Sequence, residues 1–458
     1  MKISKRVLAA GCTLCLLIGC LTGCKDKETS GKNDGMYEVK VWASDKGAKS
    51  AMEKLVSEWN DTIGKKEKIK INYETVDGDF NQQVDLALAN GTAPDIFPTS
   101  KLEQQALNGQ LQAIDKLEGG KEFLAPFLEK TTIKKYNDSY FAVPNKTITA
   151  GLLYNKDMFK AAGIVDENGE ATPPETFDEM LEYAKKLTNP DKRQYGIIFP
   201  GKSAAWYPYD IAYMIMSTVG HIGFDPVTEK YDFMPIKPIY EFILQLKEDG
   251  SCYPGTEAID ADPARARFAE GNVGMKFGIS WDVGVLTDQF PAECDWGVAP
   301  LPVLDKDNCY KQLKSVYNGF VMKKIEEGSD AEKIFKVYQW LHGDELQIEL
   351  YERGINLPWD FDIVADIDTS ALPSQWVEFG EIMKISASGP AAITYDTAGA
   401  TNISIRFVNE VWNGGRKNID KVLKEWTDIC NAGVELYKKN NPDYVPDLSR
   451  NETLDLKR

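Results

Sequence analysis

The chain has 458 residues, too many for one ordinary hydrophobic core, so two domains are expected. Its 70 acidic side chains outnumber its 53 lysines and arginines, which argues against a nucleic-acid partner, whose phosphates call for a basic face. Of the eight cysteines, Cys12, Cys15, Cys20 and Cys24 stand near the start, and Cys252, Cys294, Cys309 and Cys430 show no CxxC spacing; no metal site and no cofactor is expected.

Lys2, Lys5 and Arg6 precede an apolar run from Val7 to Leu17, and small and polar residues lead on to Cys24. That is the layout of a secretory signal over residues 1–23, and the apolar run is short for a membrane span. The tetrad Leu21-Thr22-Gly23-Cys24 resembles a bacterial lipobox, whose cysteine becomes the lipidated first residue after cleavage. Leu17-Ile18-Gly19-Cys20 fits the same pattern; Cys24 is preferred because the charged Lys25-Asp26-Lys27-Glu28 follows it directly. Residues 24–36 then read as a flexible tether, too poor in apolar side chains to pack. An exported chain meets an oxidising exterior, so Cys294 and Cys309, which flank one strand-like segment, could pair; a domain this large does not need the bond, and both states stay open. No later run is long and apolar enough to cross a membrane.

Tyr37 to Ala43 alternates as a strand with Val39, Val41 and Ala43 on one side, and Ala48, Met52, Leu55, Val56 and Trp59 recur at helical spacing after it. Trp42 and Trp59 read as core. Lys68 to Val76 forms a second strand, Phe80 to Leu88 a helix stopped at Asn90-Gly91, and Asp95-Ile96-Phe97 a third strand. Strands alternating with helices predict βαβ units and a largely parallel sheet. Tyr140 to Lys156 holds strand-like runs broken at Pro144, and Thr176-Phe-Asp-Glu179 is a capping box for a helix burying Phe177, Met180, Leu181, Ala184 and Leu187. Tyr195 to Phe199 is a strand and Ile239 to Leu246 a helix. Ser329-Asp-Ala-Glu332 caps a helix carrying Ile334, Phe335, Tyr338 and Leu341, and a last long helix shows Ile419, Val422, Leu423, Trp426, Ile429 and Val434.

Several of these segments resemble the family 1 extracellular solute-binding proteins of ABC importers, the group that includes maltodextrin-binding proteins. They are Asn90-Gly-Thr-Ala-Pro-Asp-Ile-Phe97, Tyr140-Phe-Ala-Val-Pro144 with Gly151-Leu-Leu-Tyr-Asn-Lys-Asp-Met-Phe159, Pro173-Pro-Glu-Thr-Phe-Asp-Glu-Met180, and Phe268-Ala-Glu-Gly-Asn-Val-Gly-Met275 running on to Trp281. The resemblance covers about Val39 to Tyr437. It implies an α/β fold of two lobes joined by a hinge, with ligand held between them. Lobe 1 is expected from 37–147 plus about 317–360, and lobe 2 from 148–316 plus about 361–458. Ile148 to Leu152 would be one hinge strand, with the chain crossing back near Val316 to Met322. The partners implied are a carbohydrate and the permease subunits and ATPase of an ABC importer, with a lipid-anchored monomer at the outer face of the cell membrane.

A sugar offers hydroxyls and apolar C–H faces, so its site wants bidentate polar groups and aromatic rings. Asp45 and Lys46 follow the first strand, at the carboxyl end where open α/β sheets bind ligands, and match a sugar-contacting Asp-Lys pair of the family. Trp281 matches a family tryptophan that stacks on sugar. Trp206 and Tyr207 open an aromatic-rich stretch, Thr99 and Ser100 follow the third strand, and Asn145 and Thr147 begin the crossing. Tyr317 and Asn318 belong to a glycine-containing segment similar to the family's. Asn402 stands where the family has an aromatic contact, so a maltodextrin-type stacking platform is incomplete there. Trp359 is a candidate for the cleft rim.

Gly196-Ile-Ile-Phe-Pro-Gly-Lys-Ser203 satisfies the P-loop expression, but its spacer reads as a strand and Pro200 has no N–H to offer a phosphate. His221 and His342 read as surface histidines, without HExxH or G-x-S-x-G around them, so triad or zinc hydrolysis is not expected. A binding protein is thus preferred to an enzyme. A receptor for a polyamine or a glycerol-phosphate-type solute, and a tethered carbohydrate-active enzyme using an unmarked carboxylate pair, remain the alternatives.

Overall fold

The computed structural model describes residues 35–131, 133–202, 217–219, 223–225, 228–307, 309–388, 400–401 and 403–442. Strand β1 (Tyr37–Ala43) forms because its alternate residues Val39, Val41 and Ala43 are all buried. Helix α1 (Lys49–Trp59) lays Met52, Leu55, Val56 and Trp59 on the sheet. Strand β2 (Ile69–Thr75) pairs with β1 in parallel, from Tyr37 opposite Ile69 to Ala43 opposite Thr75. Helix α2 (Phe80–Ala89) opens on Asp79, whose carboxylate accepts from the Gln82 N–H, and stops at Asn90 before Gly91, which takes a φ of +69° that suits glycine. Strand β3 (Ile96–Pro98) is again parallel to β1.

The second sheet starts with the long β4 (Pro144–Asn155). Helix α3 (Phe177–Leu187) opens on the expected box: the Thr176 hydroxyl accepts the Glu179 N–H and the Glu179 carboxylate accepts the Thr176 N–H. There follow β5 (Tyr195–Ile198), α4 (Lys237–Glu248), α5 (Ala261–Ala269), β6 (Val273–Ile279), β7 (Trp296–Ala299) and β8 (Leu313–Asn318). Strand β9 (Phe320–Met322) returns to the first sheet, antiparallel to β3. Helix α6 (Ala331–Leu341) and helix α7 (Asp344–Glu352) then pack on that first sheet, putting Ile334, Phe335, Tyr338, Leu341, Leu346 and Leu350 against Val39, Val41, Ile69 and Ile71. Helix α8 (Ser374–Ile385), β10 (Ala387–Ser388) and α9 (Ile419–Asn440) complete the second half, with Ile419, Val422, Leu423 and Trp426 buried as expected.

The result is two α/β layers. The first sheet runs β9-β3-β1-β2; the second runs β10-β8-β4-β6-β5, with β7 also on β4. Each is covered on both faces by its own apolar clusters, Trp59 lying in one and the half-buried Trp42 packing on the other face of the first sheet. The parallel expectation holds for β1, β2 and β3 but not for β4, which is antiparallel to β6, β7 and β8. The reason is that β4 enters from the first sheet rather than from a crossover helix within its own. Ile148 to Leu152 are buried inside the second sheet, Ile148 and Thr149 pairing with β8 and Ala150 to Leu152 with β6; the chain passes between the sheets at Val143–Thr147 and returns at Asn318–Phe320. These passages touch, the Gly319 N–H donating to the Val143 carbonyl at 2.9 Å.

Two further expectations are corrected and one left open is resolved. Asp330, not Ser329, caps α6, its carboxylate accepting from the Lys333 N–H. Cys294 and Cys309 are not joined and stay thiols. His342 is buried, not on the surface: it closes the apolar face of α6 and packs on Tyr338 and Phe320. His221 lies outside the described residues. Residues 196–198 of the P-loop look-alike lie in strand β5, so the segment has no phosphate-wrapping loop there.

Candidate functional site

Beyond β1 the chain turns at Asp45, at the carboxyl end of a parallel strand. The Asp45 carboxylate accepts the Ala48 N–H at 3.3 Å through Oδ1 and pairs through Oδ2 with Lys146 Nζ at 2.9 Å. Burial alone would raise this carboxyl, but Lys146 and the backbone N–H groups of Ala48 and Gly47 hold it below its ordinary value. Lys146 stands in the passage that opens β4. Its ammonium also lies over the Trp281 ring, 5.1 Å from the centroid, a cation–π distance. Trp281 follows β6, is 37% exposed, and sits 6.2 Å from the Tyr317 ring on β8. A continuous set of contacts therefore runs from the first sheet (Asp45) through the passage (Lys146) to the second (Trp281, Tyr317).

Beside this contact is a pocket of about 90 Å³, the scale of a few waters or one ligand ring. Its wall includes Asp45, Tyr73, Asn145, Lys146, Asn318 and Asn356. Burial, and then the Asp45 charge, push the Tyr73 phenol well above its ordinary range, so it stays a neutral donor. Asn145 Oδ1 and Asn356 Oδ1 are buried in the wall with no hydrogen-bond partner among the described residues.

Of the residues expected from sequence, the structure brings Asp45, Asn145, Asn318, Tyr317 and Trp281 to this region. Lys46 points elsewhere, pairing with Asp77 at 2.8 Å in open solvent. Thr99 and Ser100 serve the turn after β3, Thr99 Oγ1 accepting the Lys101 N–H and Ser100 bonding Asn81. Thr147 is fully buried, its N–H on the Leu357 carbonyl at 2.9 Å. Trp359 stacks on Phe127 at 5.0 Å and lines a separate cavity of about 560 Å³ with Lys130, Lys314 and Asp360. Trp206, Tyr207, Asn402 and Cys24 lie outside the described residues. Lys146, Tyr73 and Asn356 were missed. For Lys146 one signal existed, a cation between the expected Asn145 and Thr147; Tyr73 carried only a strand's alternation, and Asn356 none.

Residues 43–348, well over half of the chain, match the pattern of the bacterial extracellular solute-binding proteins. The chain belongs to that family. Among curated relatives, this solute-binding protein is 28% identical over 233 residues to a maltotriose-binding protein of Pyrococcus abyssi, and 24% identical over 233 residues to the sn-glycerol-3-phosphate-binding periplasmic protein UgpB of Brucella melitensis. Each match spans about half of the chain and about half of the relative: 50% and 46% for the first, 49% and 50% for the second. Similar folds include the maltose/maltodextrin-binding domain of Bdellovibrio bacteriovorus bound to maltotriose (TM-score 0.61, 16% identity, 88% of this chain and 100% of that one). A Thermotoga lettingae solute-binding protein bound with α-D-tagatose gives a TM-score of 0.62 at 19% identity, over 86% of this chain and 99% of that one. Such likenesses establish the two-lobed α/β fold.

Proposed function

We propose that this protein captures a carbohydrate between its two lobes and delivers it to the permease subunits and ATPase of an ABC importer. The observation that carries the reading is that Lys146 links Asp45 to Trp281 across the two sheets: an ionised carboxylate to accept sugar hydroxyls and a ring to stack on a C–H face, joined by one ammonium. The relative named for maltotriose, and the fold neighbours bound to maltotriose and tagatose, support the same class. The lobes are 37–147 with about 317–360, and 148–316 with about 361–458. Cys24 carries the lipid, residues 24–36 form the tether, and the protein works as a monomer at the outer face of the membrane. It is a binding protein, not an enzyme.

The Brucella relatives raise a glycerol-phosphate alternative. A phosphate would want cations to spare in the cleft, yet Lys146 is already paired with Asp45 and Lys46 with Asp77. The test is a thermal-shift screen with mono- and oligosaccharides, polyamines and glycerol phosphates. A tight ligand at a hundred- to thousandfold excess over its Kd stabilises the fold by roughly 3–4 kcal/mol. A shift with one oligosaccharide series, weakened about tenfold in affinity or more by Trp281→Ala, is the expected result. Shifts only with charged solutes would overturn the carbohydrate reading.

A further inference from the structure

Behind the exposed ring of Trp281 lies a cluster of charges that is sealed from the cleft. The Asp282 side chain is 1% exposed and that of Lys276 4%. Lys276 Nζ meets Asp282 Oδ2 at 2.6 Å and also donates to the Phe277 carbonyl at 3.0 Å. Arg265, from α5, clamps Asp282 Oδ1 through Nε at 2.8 Å and Nη2 at 2.7 Å, and reaches Asp262 through Nη1 at 2.8 Å. Lys276 is set by the sheet, opposite Leu153 of β4.

Stability does not explain such a cluster. Removing three charges from water is costly, and well-packed apolar residues of similar size commonly do as well or better. What the cluster does supply is direction. Trp281 and Asp282 are neighbours whose side chains part company, one towards the cleft and the other into the interior. On the near side, the Ser280 N–H is tied to the Thr149 carbonyl of β4 at 3.1 Å. On the far side, Asp282 is held by two cations from two different elements. The carboxylate passes so close over β6 that a Cβ on Gly278 would lie 2.6 Å from Asp282 Oδ2 and 2.5 Å from Leu153 Cδ1. The backbone that bears the Trp281 ring is thus gripped on both sides.

We infer that Asp282, held by Lys276 and Arg265, is a positioning residue that fixes the Trp281 ring at the cleft; the inference rests on the reading of Trp281 as the sugar-stacking ring. Although burial opposes its charge, the two cations keep Asp282 ionised.

The test uses the full chain labelled with 5-fluorotryptophan, the Trp281 and Trp376 fluorine signals being assigned with Trp281→Phe and Trp376→Phe. The double variant Lys276→Met/Asp282→Leu replaces the buried charges by apolar groups of similar size, and Gly278→Ala and Arg265→Met disturb the carboxylate independently should the double variant fail to fold. The expected result is a shifted or split Trp281 signal with the core Trp376 signal unmoved, a melting temperature within a few degrees of the parent, and at least tenfold weaker binding of maltotriose as probe. A Trp281 signal unchanged in the folded variants overturns the inference, as does a loss of binding that merely follows a general loss of stability. If maltotriose fails to bind the parent chain, the sugar that shifts its melting temperature replaces it as probe; if no sugar does, the carbohydrate reading is overturned, and the fluorine signals still decide the positioning role.

Discussion

His342 is held by two contacts that determine its protonation. Its Nδ1 lies 2.8 Å from the Tyr338 carbonyl and so carries the proton, which leaves Nε2 to accept the Phe320 N–H at 3.1 Å. Phe320 begins β9 directly after the return passage, and a Cβ on Gly319 would stand 2.2 Å from Nε2, so only glycine fits between the passage and the ring. Burial pushes the imidazole down to about 4 from 6.5. A depressed pKa of this kind contributes stability that is fully present above pH 6.5 and is lost as the pH falls towards 4. Unfolding free energies measured in urea at pH 7 and 4.5 are expected to differ by about 2–3 kcal/mol from this group. His342→Gln should remove that share of the difference, and an unchanged pH profile in the variant would refute it.

Among the elements, α3 shows how far a local signal can be trusted. The box at Thr176 and Glu179 is reciprocal, and Glu179 also accepts the Glu175 N–H at 2.7 Å. Replacing Thr176 by Ala leaves a first-turn N–H without its acceptor, an expected loss of about 1 kcal/mol read from the urea midpoint at constant slope. At α6 the same sequence pattern slips by one residue: Asp330 reaches the Lys333 N–H at 3.2 Å and takes the place proposed for Ser329. Both Ser and Asp are good caps; which one serves depends on where the chain leaves its preceding loop.

At the scale of the whole molecule, the two sheets are joined by neighbouring passages at Val143–Thr147 and Asn318–Phe320, with a register shift between Tyr317 and Asn318. Rotation of one lobe against the other needs changes in few backbone angles there, because the sheets on either side are fully paired and packed. On the proposed function, ligand binding energy would select a closed arrangement. Small-angle X-ray scattering is expected to show a smaller radius of gyration when the chain is saturated with a ligand that shifts its melting temperature. An unchanged radius with ligand demonstrably bound would rule out closure.

What the sequence by itself determined was local and periodic. The alternation of Val39, Val41 and Ala43, the helical spacing of Met52 to Trp59, the stop at Asn90-Gly91 and the box at Thr176 were all legible, because each depends on residues a few positions apart. The order of the family-like segments determined the fold class for the same reason, each segment being recognisable alone. The site itself came through only in part. Asp45 could be named from its place at a strand end and Trp281 from its match to a family tryptophan, but the one signal at Lys146, a cation between Asn145 and Thr147, does not say that its ammonium lies between them, 101 residues from Asp45 in sequence. Nor does spacing reveal that Lys276, Arg265 and Asp282 converge behind the ring, or that His342 is sealed against Gly319. Those contacts are settled by sheet order and register, which bring distant elements to one place; a period in the sequence describes which face an element buries, not which other element it meets.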